Sequence, residues 1–115
     1  MKGPDLRRAV RYDVGVSAEI YTAEAVIPAS TRNLSDSGVC VDVPRALPED
    51  ADLGVSLFLV TDGIEDPDAE PLNLRAKVIW CSEREDTGFS AGMRFEDINQ
   101  DQTGVISSFL ARLGE

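Results

Sequence analysis

Apolar residues recur at every second position along most of this chain, and a period of two confines it to strands. Val14, Val16, Ala18 and Ile20 alternate with Gly15, Ser17, Glu19 and Tyr21 in a first strand. A second runs from about Ala25 to Leu34, where Pro28 signals an edge or a bulge because proline cannot donate to a ladder. Asp36-Ser37-Gly38 turns the chain, Val39, Val41 and Val43 alternate through a third strand, and Pro44 ends it. The apolar run from Val55 to Val60 reads as a buried fourth strand. Leu72 to Cys81 gives a fifth, with Leu74, Ala76, Val78 and Trp80 on the core face and Arg75 and Lys77 on the other. Phe89 to Phe95 gives a sixth.

The period changes beyond Asp97. Val105, Ile106, Phe109, Leu110 and Leu113 fall at helical spacing and mark one apolar stripe. Asn99 with Gln102 can cap the start of that helix, and Gly114 suits its end. Six short strands at close intervals predict a mainly β fold, a small six-stranded antiparallel barrel, since closure removes exposed edges. The C-terminal helix packs its stripe on the barrel. At 115 residues the chain is long enough for one core and one domain.

The formal net charge of −10 argues against a nucleic acid polymer or an anionic membrane surface as partner. No segment approaches the roughly 18 apolar residues of a membrane span, so no membrane insertion is expected. The first residues lack the apolar stretch of a secretory leader, which predicts a cytoplasmic protein. Cys40 and Cys81 each sit in an apolar run and read as free, buried thiols. There is no histidine, hence no histidine-based triad or histidine metal site, and two isolated cysteines cannot close a zinc site. The acidic loop at 62–71 lacks the alternating ligand spacing of a calcium loop. No metal, no cofactor and no enzymatic activity are therefore expected; a small β-barrel hydrolase or metal protein is the disfavoured rival.

Charge is distributed unevenly. Lys2, Arg7, Arg8 and Arg11 are opposed locally by Asp5 alone, and they directly precede the first strand. Such a cluster is either a solvated basic tail or a cationic arm for a small anion. Arginine suits the second role, because its planar fork grips phosphate or the O6/N7 edge of guanine. The second cluster is Asn33-x-Ser35-x-x-Gly38. These are ordinary residues for a strand end and polar turn. In a strand, however, Asn33 and Ser35 share a face and offer an amide and a hydroxyl side by side. Gly38 permits positive φ or close backbone approach to a ligand.

Arg7-x-x-x-Arg11 followed by Asn33-x-Ser35-x-x-Gly38 resembles the signature of PilZ domains, which bind the bacterial second messenger cyclic di-GMP. Val78-Ile79-Trp80 and Gly92-Met93-Arg94-Phe95 are similar to two further strands of that family, so the resemblance spans nearly the whole chain. It implies an N-terminal arm over residues 1–12 and a barrel domain with its helix over 13–115. By the same resemblance Arg7 and Arg11 grip phosphate and guanine as the arm folds over the ligand, with Arg8 adding a contact. Asn33 and Ser35 would bind one guanine from the barrel, and Gly38 would shape the turn. The family accepts Asp or Asn at the first position; Asn33 lacks the charge but keeps a carbonyl acceptor. The implied function is a cyclic di-GMP receptor that signals to a protein partner in motility, biofilm or related regulation. The alternative is a ligand-independent adaptor in motility, pilus or chemosensory assembly.

Overall fold

A computed structural model describes residues 12–13, 15–59 and 71–113 of the chain. Its strands are β1 (Tyr12–Asp13), β2 (Ser17–Tyr21), β3 (Val26–Leu34), β4 (Gly38–Val43), β5 (Asp52–Leu57), β6 (Leu72–Glu83) and β7 (Phe89–Glu96), followed by helix α1 (Gln100–Leu113). All pairings are antiparallel. The order β3-β2-β5-β6-β7-β4 returns to β3 through the β3–β4 hairpin, which closes a six-stranded barrel. The expected mainly β barrel with a C-terminal helix is the fold observed.

Alternation explains which residues fill the barrel. Ala18, Ile20, Ile27, Leu34, Val39, Val41, Val43, Val55, Leu57, Val78, Ala91 and Met93 point inward and are almost fully shielded from solvent. Their partners on the pleat face outward. One inward row, Leu34, Val39, Met93 and Val78, runs in register across four strands.

Four details of the strands differ from the sequence reading. The first strand is two pieces: β1 and β2 are separate strands that both lie along β3. Opposite the junction between them the β3–β4 register shifts between Thr31 and Asn33, and buried Thr31 accepts a hydrogen bond from the Val16 amide through Oγ1 (2.9 Å). The fourth strand is Asp52–Leu57 rather than 55–60, because Leu53, Val55 and Leu57 carry the inward alternation. Val60 lies outside the described residues. Pro28 sits in β3 beyond the end of its pairing with β4, so no ladder bond is lost there.

The fourth difference bears on the site. Trp80 was expected in the core, yet it is 42% exposed. The β6–β7 register shifts between Val78 and Trp80, and the extra residue, Ile79, flips the phase of the pleat. Ile79 and Trp80 both end up on the surface.

Helix α1 begins with the expected reciprocal cap: Asn99 Oδ1 accepts from the Gln102 amide (2.8 Å), and Gln102 Oε1 accepts from the Asn99 amide (3.0 Å). Gln102 Nε2 also donates to the Asn73 carbonyl on β6 (2.9 Å), which docks the helix on the barrel. Ile106, Phe109 and Leu110 join the core, whereas Val105, expected on the same stripe, is 47% exposed. Gly114 and most of the acidic 62–71 loop lie outside the described residues.

Candidate functional site

The phase flip at Ile79 creates a second row on the opposite, outer face of the sheet. Asn33 on β3 pairs with Cys40 on β4, Cys40 with Gly92 on β7, and Gly92 with Trp80 on β6. Three strand spacings separate the ends of this row, about 14 Å. Between them the floor is nearly bare. Gly92 carries no side chain, and a Cβ there would run into the Trp80 indole, so the ring lies over the glycine backbone. Gly38, also without a side chain, lines the adjoining position.

The result is a groove of about 540 Å³, walled by Asn33 and Ser37 on one side, Ile79 and Trp80 on the other, and Arg94 at the end. Cys40 faces this groove but is only 7% exposed. Neither cysteine forms a disulfide; Cys40 is buried as expected, whereas Cys81 is partly exposed and accepts a hydrogen bond from the Leu47 amide (3.4 Å).

Ser35 departs from its expected place. β3 ends at Leu34, so Ser35 is the first turn residue and not a strand neighbour of Asn33. It is fully buried, and its Oγ accepts from the amides of Ser37 and Gly38 (both 3.2 Å). The hydroxyl thus holds the turn in place of facing the groove. The Ser35 amide completes the arrangement by donating to the Gly38 carbonyl (2.9 Å). Gly38 is required here by close approach and not by positive φ: a Cβ would run into the Met93 carbonyl oxygen of β7.

Arg7, Arg8 and Arg11 lie outside the described residues. The two residues that follow Arg11 are described, and they form β1: Tyr12 pairs with Leu34 and Asp13 with Asn33. The chain therefore enters the barrel beside the groove's amide-bearing edge. Trp80 and the bare-floor residue Gly92 are the features that sequence reasoning missed as parts of a site. The signal that could have found them was a tryptophan next to β-branched Ile79 in an otherwise regular alternation, facing a glycine in the next strand.

Behind the groove, on the same outer face, Asp42 gathers two arginines. Its carboxylate receives Arg32 Nε (2.7 Å), Arg84 Nη1 (3.1 Å) and the Ser90 hydroxyl (2.8 Å). Burial pushes the Asp42 pKa up, but the hydrogen bonds from Arg32 and Ser90 and the two guanidinium charges outweigh it and hold the group below its usual value. Among the described residues no cluster of His, Cys, Asp and Glu could hold a metal ion, and no helix is long and apolar enough to cross a membrane.

The PilZ domain model matches residues 5–112. No curated protein sequence matches the chain. The fold is similar to that of Bacillus subtilis inhibitor of motility, MotI/DgrA (TM-score 0.76, 16% identity, 98% of this chain and 53% of that one). It is equally similar to Escherichia coli YcgR in complex with c-di-GMP (TM-score 0.76, 16% identity, 95% of this chain and 46% of that one). The chain thus spans about half the length of both proteins. The isolated PilZ domain of E. coli YcgR with c-di-GMP matches end to end (TM-score 0.72, 15% identity, 95% of each chain).

Proposed function

The chain belongs to the PilZ domain family, and we propose that it is a receptor domain for cyclic di-GMP. The observation that carries this reading is the outer row from Asn33 to Trp80. It offers an amide at one end and an aromatic face at the other, across a floor of backbone. A guanine has the matching parts: hydrogen-bonding edges for Asn33 and a π face for Trp80. The two YcgR structures with c-di-GMP have the same fold and support the choice of ligand.

In this reading Asn33 fixes the base edge, Trp80 stacks, and Ser35 and Gly38 act one step removed by setting the turn on which the Asn33 end of the groove rests. Arg7, Arg8 and Arg11 supply charge to the phosphates. Their attachment favours this, because the residues directly after Arg11 run beside Asn33 and Leu34. The arm orders when ligand bridges it to the barrel, which changes the surface offered to a protein partner. The likeness to an inhibitor of motility favours a partner in motility. In this reading the domain is a cytoplasmic receptor and not an enzyme.

Trp80 is the single tryptophan of the chain, so its fluorescence is a specific probe. Titration with cyclic di-GMP is expected to change the emission saturably in the micromolar range, with no change for GTP. An emission unaffected at millimolar cyclic di-GMP would contradict Trp80 as the stacking wall.

A further inference from the structure

Among the described residues that line the groove, Arg94 is the only one with a formal charge. Its side chain is 61% exposed, and it lies on the outer face two residues along β7 from Gly92. Opposite it on one side is Gly38, which has no side chain to cover it. Opposite it on the other side is Lys77 of β6, a like charge directly across the ladder. Like charges in that relation are destabilising unless something neutralises them.

The carboxylates nearby do this incompletely. Glu96 Oε2 stands 3.9 Å from Arg94 Nη2, beyond hydrogen-bond distance. The neighbouring Asp52, together with burial, raises the Glu96 pKa against the lowering influence of Lys77 and Arg94. Asp52 in turn faces Lys77 across the β5–β6 ladder. Two cations thus stand side by side at the groove's end, with Glu96 beyond hydrogen-bond distance of Arg94.

We propose that Arg94 is a specificity-determining residue of the groove, taking a phosphate of the ligand from the barrel side while Lys77 raises the local potential. This rests on the cyclic di-GMP reading. A base held on the Asn33–Trp80 row leaves its sugar-phosphate free to extend along β7, and two residues of strand cover about 7 Å. Arg94 then reads the anion independently of the N-terminal arm. An arginine fork also rewards a phosphodiester with two acceptor oxygens over a neutral ligand. Glu96 acts as a weak competitor for the same guanidinium.

The test compares the intact chain with Arg94→Ala, Arg94→Lys and Glu96→Gln, each titrated calorimetrically with cyclic di-GMP at low and physiological salt and melted without ligand. Arg94→Ala is expected to weaken binding about tenfold, flatten its salt dependence and leave the melting temperature unchanged. Arg94→Lys, which keeps the charge but not the fork, should recover only part of the affinity, and Glu96→Gln should tighten binding about twofold. Equal affinity of wild type and Arg94→Ala would overturn the assignment while leaving the receptor reading intact. Absence of binding by the wild type itself would overturn both.

Discussion

Asn33 and Trp80 occupy opposite ends of one cross-strand row on the barrel's outer face, joined through Cys40 and Gly92. The inserted residue Ile79 is what puts Trp80 there. Had the pleat of β6 continued unbroken, the indole would point into a barrel already filled by Val78, Met93 and Val39. One bulge therefore converts a core residue into a wall of the groove.

Trp80→Ala should cost little folding stability, about 1 kcal/mol, since a surface side chain gives up far less than a core aromatic. The same change removes a stacking partner worth about 1–3 kcal/mol per base, so affinity for cyclic di-GMP should fall about tenfold or more. Thermal melts and titration calorimetry on one preparation check both. A loss of 3–5 kcal/mol in stability, the range for burying and then deleting such a ring, would place the indole back in the core.

Gly92→Ala tests the floor. The added methyl collides with the indole that crosses it and leaves the barrel interior untouched, because Gly92 faces outward. Trp80 must swing aside, which should shift its emission and impair ligand binding while the strand content by circular dichroism stays as in wild type. Unchanged emission would mean that the ring does not rest on Gly92.

Asn33 and Ser35 should separate cleanly, although they belong to one motif. Ser35→Ala strips the acceptor from two amides in a fully buried turn, so it should cost about 1–3 kcal/mol of stability. Asn33→Ala, at a half-buried position, should cost less stability than Ser35→Ala and act mainly on ligand affinity. Equal destabilisation by both changes would show that Asn33, too, serves the turn.

Acid should weaken the Asp42 cluster. Because folding lowers the Asp42 pKa, the unfolded chain takes up that proton first as pH falls. The stabilisation is fully present above the ordinary carboxylate value and is lost as pH drops below about 4. Asp42→Asn should therefore lower stability at pH 7 and flatten the acid limb below about pH 4, as measured by urea unfolding across pH. An unchanged acid limb would assign that limb to other carboxylates.

Much of this architecture was legible from alternation, because a barrel interior imposes a strict period of two, and the Asn99–Gln102 cap was legible from residue type and spacing. What escaped the reading has a common cause. A single inserted residue, as at Ile79, reverses every side chain that follows it, and apolar character alone does not announce the insertion. The 55–60 run misled because Ser56 is buried although polar, which blurred the alternation of Leu53, Val55 and Leu57. Ser35 was misplaced by one position: the strand stops at Leu34, and its hydroxyl turns to the backbone amides that the turn leaves open. The groove itself is a feature of absent side chains at Gly38 and Gly92, whose meaning depends on which strands lie beside them.

The most direct test of the receptor reading is calorimetric titration of the intact chain with cyclic di-GMP, with GTP as control and the Arg7→Ala, Arg11→Ala double variant alongside. Binding in the micromolar range, about 8 kcal/mol, that is absent for GTP and lost in the double variant is the predicted result. No heat at millimolar cyclic di-GMP would contradict it and turn the same fold into a ligand-independent adaptor.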